Sequence, residues 1–266
     1  LKKPNGTILV TGPTGSGKTT TLYAFLKAVR SPEVKTITIE DPIEYHLDGV
    51  EQTQVDPASG YTFAAGLRSI LRQDPDIILV GEIRDLETAE IGMHAALTGH
   101  LVFSTLHTND AIGAIPRLID LGAKASIIGP ALNLIIAQRL VRKLCEFCKV
   151  ETTISKELSI KIKNFVSALP PKTKKLYDDK PIKLYDVKGC EKCRGGFKGR
   201  LGVYEFLKCD DDLESLITEA ATEESIRRVA KKQGMVEMQE DGILKIISGV
   251  TTFQEVERVT GPIEWL

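Results

Sequence analysis

One stretch of this chain restricts its fold more than any other: Gly12-Pro13-Thr14-Gly15-Ser16-Gly17-Lys18-Thr19. A short apolar run, Thr7 to Thr11, precedes it, and a helical pattern from Thr20 to Val29 follows. The order strand, glycine-rich turn, helix fits G-x-x-x-x-G-K-[ST], the loop whose backbone N–H groups wrap a triphosphate. Gly15 and Gly17 permit the backbone angles that turn those groups inward. The next helix presents its positive end to the phosphates. The expected nucleotide-binding set is Gly12, Pro13, Thr14, Gly15, Ser16, Gly17, Lys18, Thr19 and Thr20. Lys18 reaches the β- and γ-phosphates of ATP, and the Thr19 hydroxyl holds Mg²⁺.

The β-branched run Lys35 to Ile39 reads as the next strand. It ends in Glu40-Asp41-Pro42-Ile43-Glu44, three carboxylates in five residues, with a proline that forbids a helix. Carboxylates at a strand end beside a triphosphate can polarise the attacking water or order the Mg²⁺ shell. Further on, Gln52 to Val55 reads as a short strand and Thr62 to Arg72 as a helix with one apolar face. Ile77 to Val80 is the kind of uninterrupted apolar run found inside a parallel sheet. It ends at Gly81, so the acid often carried directly on such a strand falls one residue later, at Glu82.

Asp85 reads as an N-cap of a helix from Leu86 to Leu97, closed by Gly99. A strand from His100 to Leu106 then delivers His107 to the sheet edge at which open α/β folds bind ligands. His107 is the candidate γ-phosphate sensor. Alternating strands and helices up to about residue 110 predict an α/β fold with a mostly parallel sheet covered on both faces. Two more helices are expected, Asp110 to Leu121 and Ser126 to Leu144, the second apolar nearly all round and therefore buried.

Two C-x-x-C pairs follow, Cys145 with Cys148 and Cys190 with Cys193. Beside an intracellular type of nucleotide site, such pairs read as a metal centre and not as disulfides. Four thiolates suit tetrahedral zinc. The 41 residues from Lys149 to Gly189 far exceed the ribbon spacing of about 15–20, so the zinc would close a lobe. That lobe holds an amphipathic helix (Ile154, Leu158, Ile162, Phe165, Leu169) and a lysine-rich stretch (Lys172, Lys174, Lys175, Lys180). Redox-active pairs or a nucleic-acid-binding ribbon are the alternatives. Cys209 reads as a small core residue. From Asp210 onward the pattern is helical: 211–221, 223–233, 235–248, and a last helix with a capping box at Thr252 to Glu255 and Gly261 at its end.

These segments suggest a nucleotide-binding core over 1–143, a tetracysteine subdomain over 144–208 and a helical C-terminal subdomain over 209–266. The net charge of −1 provides no global field for nucleic acid or an anionic membrane. No apolar run is long enough to cross a bilayer. The start, Leu1-Lys2-Lys3-Pro4, reads as part of something longer.

Four ordered motifs resemble those of the secretion-ATPase superfamily. They are Gly12 to Thr19 (Walker A), Ile39 to Glu44 (Asp-box), Leu71 to Asp85 (Walker B) and Thr98 to His107 (His-box). The two C-x-x-C pairs and Gly195 to Glu205 are similar to the branch of type II secretion and type IV pilus assembly ATPases; the pilus-retraction branch lacks the tetracysteine lobe. This resemblance implies a RecA-type ATP hydrolase acting as a homo-hexamer on the cytoplasmic face of the inner membrane. It implies partnership with platform and anchoring proteins of a secretion or pilus machine, peripheral membrane association through them, and no direct contact with nucleic acid. Glu44 is the implied water activator, with Glu40 as competitor. Glu82 supports Mg²⁺ with Thr19, and His107 senses the γ-phosphate. An N-terminal domain of such ATPases contributes arginines; without it, Arg68, Arg72 and Arg84 are the local candidates, and weak ATPase activity is expected. Two readings stand beside this one: a nucleic-acid-stimulated motor with a zinc ribbon, and a nucleotide switch without turnover.

Overall fold

The computed structural model describes residues 3–177, 182–219 and 221–265; Lys180 of the lysine-rich stretch lies outside them. In chain order the elements are β1 (Gly6–Thr11), α1 (Lys18–Val29), β2 (Thr36–Glu40), β3 (Glu51–Gln54), α2 (Phe63–Leu71), β4 (Ile77–Val80), α3 (Leu86–Leu97), β5 (Leu101–Leu106), α4 (Ala114–Asp120) and α5 (Ala125–Ala131). Then follow β6 (Leu132–Leu144), β7 (Lys149–Thr152), α6 (Lys156–Ala168), α7 (Pro171–Lys174), β8 (Leu184–Val187) and β9 (Phe197–Lys208). Helices α8 (Asp211–Thr218), α9 (Glu223–Lys232), α10 (Met238–Ile247) and α11 (Phe253–Thr260) complete the chain.

The fold is α/β. Seven strands form one sheet in the order β3-β2-β4-β5-β1-β6-β9, and β3-β2-β4-β5-β1-β6 run parallel throughout. Parallel strands need crossovers, which α1, α2 and α3 supply between β1 and β2, β3 and β4, and β4 and β5, so β1, β2, β4 and β5 are buried along their whole length while the edge strand β3 is polar. Ile77, Ile78, Leu79 and Val80 are all buried, each stabilising the fold by about 1.5–3 kcal/mol. The helix starts follow local capping chemistry. Thr88 N donates to Asp85 Oδ1 at 2.8 Å to open α3, and Ala65 N donates to Thr62 Oγ1 at 3.2 Å to open α2.

The segment read as a helix from Ser126 to Leu144 is instead a short helix, α5, and a long strand, β6. Pro130 lies within α5, and the chain turns extended at Leu132. Over residues 132–137, β6 pairs with the far side of β1, from Thr7↔Leu132 to Thr11↔Ala137. A strand buried among other strands is apolar on both faces, so its composition resembles that of a buried helix and periodicity cannot separate the two. The β-branched Ile135 and Ile136 after a proline were the available signal.

The chain forms two compact units: residues 1–137 with 206–233, and residues 138–205 with 234–266. These cut across the three-segment division read from the sequence. In the second unit the tetracysteine segment is joined by α10 and α11, while α8 and α9 belong to the first. Within the second unit β7 and β8 form a separate antiparallel pair, Lys149↔Val187 to Thr152↔Leu184. Glu255 there is almost fully buried. It accepts from Arg142 N (2.9 Å), from Arg142 Nη2 (2.5 Å) and from Arg258 Nε (3.0 Å), so of the capping box read from the sequence the Thr252 half forms, with Glu255 N donating to Thr252 Oγ1 at 3.4 Å, while the carboxylate serves the arginines.

Candidate active site and metal centre

In the first unit the sheet gathers its candidate residues by topology. The glycine-rich loop leaves β1, the Asp-box leaves β2, Gly81-Glu82 leaves β4 and His107 leaves β5. These four strands are neighbours and parallel, so every one of these segments emerges at the same, C-terminal edge, where open α/β sheets bind ligands.

The loop after β1 has the geometry its glycines allow. Gly15 and Gly17 sit at φ +78° and +87°, in the left-handed region, and no neighbouring atom lies within 4 Å of a side chain added at Gly15. No side chain caps α1 and no acid occupies its first turn, so its positive end faces the loop uncompensated, as an anion site requires. Lys18 Nζ donates back to Gly12 O at 2.9 Å and Pro13 O at 3.2 Å, folding over the loop. Burial lowers the Lys18 pKa, with the charge of Glu82 opposing that shift. Thr108 N donates to Thr11 Oγ1 at 2.9 Å, tying the ends of β1 and β5 together.

Glu82 is the charge centre of this edge. Its side chain is 12% exposed and pairs with Arg84, while His107 Nε2 lies 3.3 Å from its other oxygen. Arg84 also reaches Asp41 at 3.7 Å. The one-residue displacement of the acid has a steric cause. Gly81 N donates to Ile39 O at 2.8 Å, and a Cβ at Gly81 would stand 3.3 Å from Glu40 Cα and from Ile39 O. A side chain at the strand position would crowd this backbone, and the acid comes where the chain leaves the sheet.

The two Asp-box glutamates differ completely. Glu40 is 3% exposed. It accepts from the Tyr23 hydroxyl, from Thr38 Oγ1 at 2.5 Å and from Gln52 Nε2 at 3.1 Å. Burial, and then this bond to Glu40, push the Tyr23 pKa upward. Glu44 is exposed on the loop between β2 and β3. Of the arginines, only Arg84 is brought to Glu82; Arg68 pairs with Glu87 at 2.6 Å, and Arg72 is the exposed C-cap of α2. His100 lies at the opposite end of β5 and donates from Nδ1 to Ala95 O at 2.9 Å. Thr14 and Thr20 are exposed, and Thr19 is half-buried. The glutamines Gln52 and Gln54 were missed as site residues, because a glutamine in a short strand carries no motif.

In the second unit the four cysteine sulfurs lie within 4.8 Å of one another. Cys145–Cys190, Cys148–Cys193 and Cys190–Cys193 are 3.9, 3.7 and 3.7 Å apart. Four sulfurs at about 2.3 Å from a tetrahedral zinc stand about 3.8 Å from each other, so the donor set fits that metal; disulfides would need about 2.05 Å. Cys145 N donates to Gly196 O at 2.9 Å, drawing the two hairpins together. Gly196 has φ +85°, and a Cβ there would meet Val187 Cβ at 2.3 Å, so that approach requires glycine. Cys209 is buried in the first unit, apart from the cluster.

The family model described as Type II/IV secretion system protein matches residues 1–258. The type II secretion system ATPase E of Vibrio cholerae is 48% identical over 264 residues, covering 98% of this chain and 49% of that protein. The type IV pilus assembly ATPase PilB of Pseudomonas aeruginosa is 45% identical over 262 residues, 98% of this chain and 44% of that protein. Among solved structures, the pilus retraction motor PilT with bound ADP aligns with a TM-score of 0.71 at 31% identity, over 99% of this chain and 64% of that one. The chain spans about half the length of the curated relatives it matches.

Proposed function

This chain belongs to the Type II/IV secretion system protein family, and on that premise we propose that it is a Mg²⁺-dependent ATPase whose turnover drives assembly of a pilus or pseudopilus. The observation that carries the proposal is the convergence of Lys18, Glu82, His107 and the Asp-box at one edge of four parallel strands. Residues Gly12 to Thr20 cradle the triphosphate. The Lys18 ammonium exchanges its bonds to the Gly12 and Pro13 carbonyls for phosphate oxygens. Thr19 and Glu82 hold Mg²⁺, which when bound neutralises charge developing on the phosphates.

Glu44 is the general base, taking a proton from the attacking water onto its carboxylate. The choice over Glu40 rests on access: Glu40 is buried and already accepts three hydrogen bonds, while Glu44 is exposed and can reach a water. His107, bridged to Glu82, reads the state of the γ-phosphate through that contact. Arg84, held between Glu82 and Asp41, is the arginine best placed to meet phosphate or a neighbouring subunit.

Zinc on Cys145, Cys148, Cys190 and Cys193 is a structural cofactor that closes the second unit. The assembly branch is favoured over retraction because assembly and secretion relatives are 45–48% identical and the retraction motor 31%. We further propose a homo-hexamer that works with inner-membrane platform and anchoring proteins at the cytoplasmic face, as the resemblance to secretion and pilus assembly ATPases implies. Among the described residues no helix is long and apolar enough to cross a membrane, so attachment through partners is the reading we adopt.

The test is the Mg²⁺-ATPase rate of the wild type and Glu44→Gln, with ADP affinity measured on both. Hydrolysis that falls about 100-fold in Glu44→Gln, with ADP affinity retained, supports the proposal. Nucleotide binding with no Mg²⁺-dependent turnover in the assembled wild type overturns it in favour of a switch.

A further inference from the structure

The loop that carries Glu44 is a short irregular segment, Asp41 to Leu47, and such a segment holds a base accurately only if something outside it fixes its backbone. Strand β3 does this with two side chains. Leu47 N donates to Gln52 Oε1 at 2.7 Å, and Gln52 Nε2 donates to Tyr45 O at 3.2 Å. Ile43 N donates to Gln54 Oε1 at 3.1 Å. Glu44 thus lies between two residues whose backbone groups are held by glutamine amides.

The same amide reaches inward. Gln52 Nε2 also shares its hydrogens with Glu40 Oε1 at 3.1 Å and Tyr23 Oη at 3.3 Å. The Tyr23 hydroxyl donates to Glu40. The Tyr45 ring stands edge-on to the Tyr23 ring, centroids 4.7 Å apart at 79°. Tyr23 lies on α1, the helix that opens with Lys18 and Thr19. The network therefore connects the helix that grips phosphate to the loop that carries the base, and the Gln52 side chain bonds both to the loop and to the buried Tyr23–Glu40 pair.

We propose that Gln52, assisted by Gln54, is a positioning residue that sets the Glu44 backbone relative to the phosphate-binding helix. The inference rests on the assignment of Glu44 as base. Losing the amide contacts leaves the nucleotide site intact but lets the base stray, so the loss falls on kcat and not on KM.

The experiment uses Gln52→Met, which keeps the side chain's length without its polar atoms, and Gln54→Met, which removes a single contact at an exposed position and so tests the idea even if the first variant folds poorly. Both are compared with wild type and Glu44→Gln for Mg²⁺-ATP hydrolysis, ADP affinity and amide hydrogen exchange across residues 43–47. The expected result is a kcat lower by about tenfold in Gln52→Met and about threefold in Gln54→Met, with KM and ADP affinity within about twofold. Exchange at 43–47 quickens about tenfold in Gln52→Met, and adding Gln52→Met to Glu44→Gln costs no further rate because both act through one carboxylate. Wild-type kcat in both glutamine variants beside a slow Glu44→Gln overturns the positioning role alone. So does unchanged exchange at 43–47, or a loss that appears in KM and ADP affinity. Wild-type kcat in Glu44→Gln overturns the base assignment and this inference together.

Discussion

Replacing Glu255 by glutamine tests how the second unit holds together. Glu255 is 1% exposed and is gripped by Arg142 and Arg258. Burial alone pushes its carboxyl up, but the hydrogen bonds from Arg142 and Arg258 more than reverse this, holding the pKa at about 2 against an ordinary 4.5. At about 1.4 kcal/mol per pH unit, that difference corresponds to about 3 kcal/mol of folding stability at neutral pH. Because the folded pKa is depressed, the contribution is complete above the unfolded value of about 4.5 and is lost as pH falls from there through about 2. Arg142 also lies over the Phe197 ring, 4.2 Å from its centroid, next to the Gly196 that anchors Cys145, so the loosened pair should slacken the cysteine hairpins as well. The assay is urea denaturation of wild type and Glu255→Gln from pH 7 to pH 3, reading the difference between the two so that metal effects common to both cancel. A gap of about 3 kcal/mol at pH 7 that narrows below about pH 4.5 is expected. A gap under about 1 kcal/mol, or one that does not change with pH, refutes the reasoning.

Two other perturbations separate structural from chemical roles. Glu40→Gln presents an amide N–H₂ to donors that now meet a carboxylate, so it should destabilise the fold by about 2 kcal/mol, whereas Glu44→Gln at its exposed position should change stability by less than about 0.5 kcal/mol; equilibrium denaturation distinguishes them, and equal losses would contradict the burial argument. Cys193→Ser should abolish the zinc, expected at about one per chain by elemental analysis, and lower the unfolding temperature by several degrees; a variant with unaltered metal content and melting would exclude a four-sulfur site.

Much of the site was legible in the chain itself. The phosphate loop, Glu82 and His107 each sit at the end of a short apolar run, and in a parallel sheet every such end that precedes a crossover helix falls on the same edge. The four cysteines were legible as one cluster because thiols separated by two residues in each pair are already pre-arranged to converge. The boundary between α5 and β6 was not legible, since burial on both faces erases the period that tells strand from helix. Nor was the organisation of the second unit, where α10 and α11 join the cysteine segment through pairs such as Arg142 with Glu255, 113 residues apart.

The sequence by itself determined the backbone features that close within a few residues: the left-handed glycines at 15 and 17, the Asp85 cap and the strand ends that carry acids. These depend on local sterics and on hydrogen bonds between near neighbours. Only the tertiary structure decided which of two glutamates four positions apart is buried and which is exposed. Glu40 is committed to the core by Tyr23, 17 residues before it, and by Gln52, 12 residues after it. Glu44 escapes that commitment and sits on a loop pinned from β3. A carboxylate's availability is set by which donors surround it, and those donors come from segments that meet only when the sheet has formed.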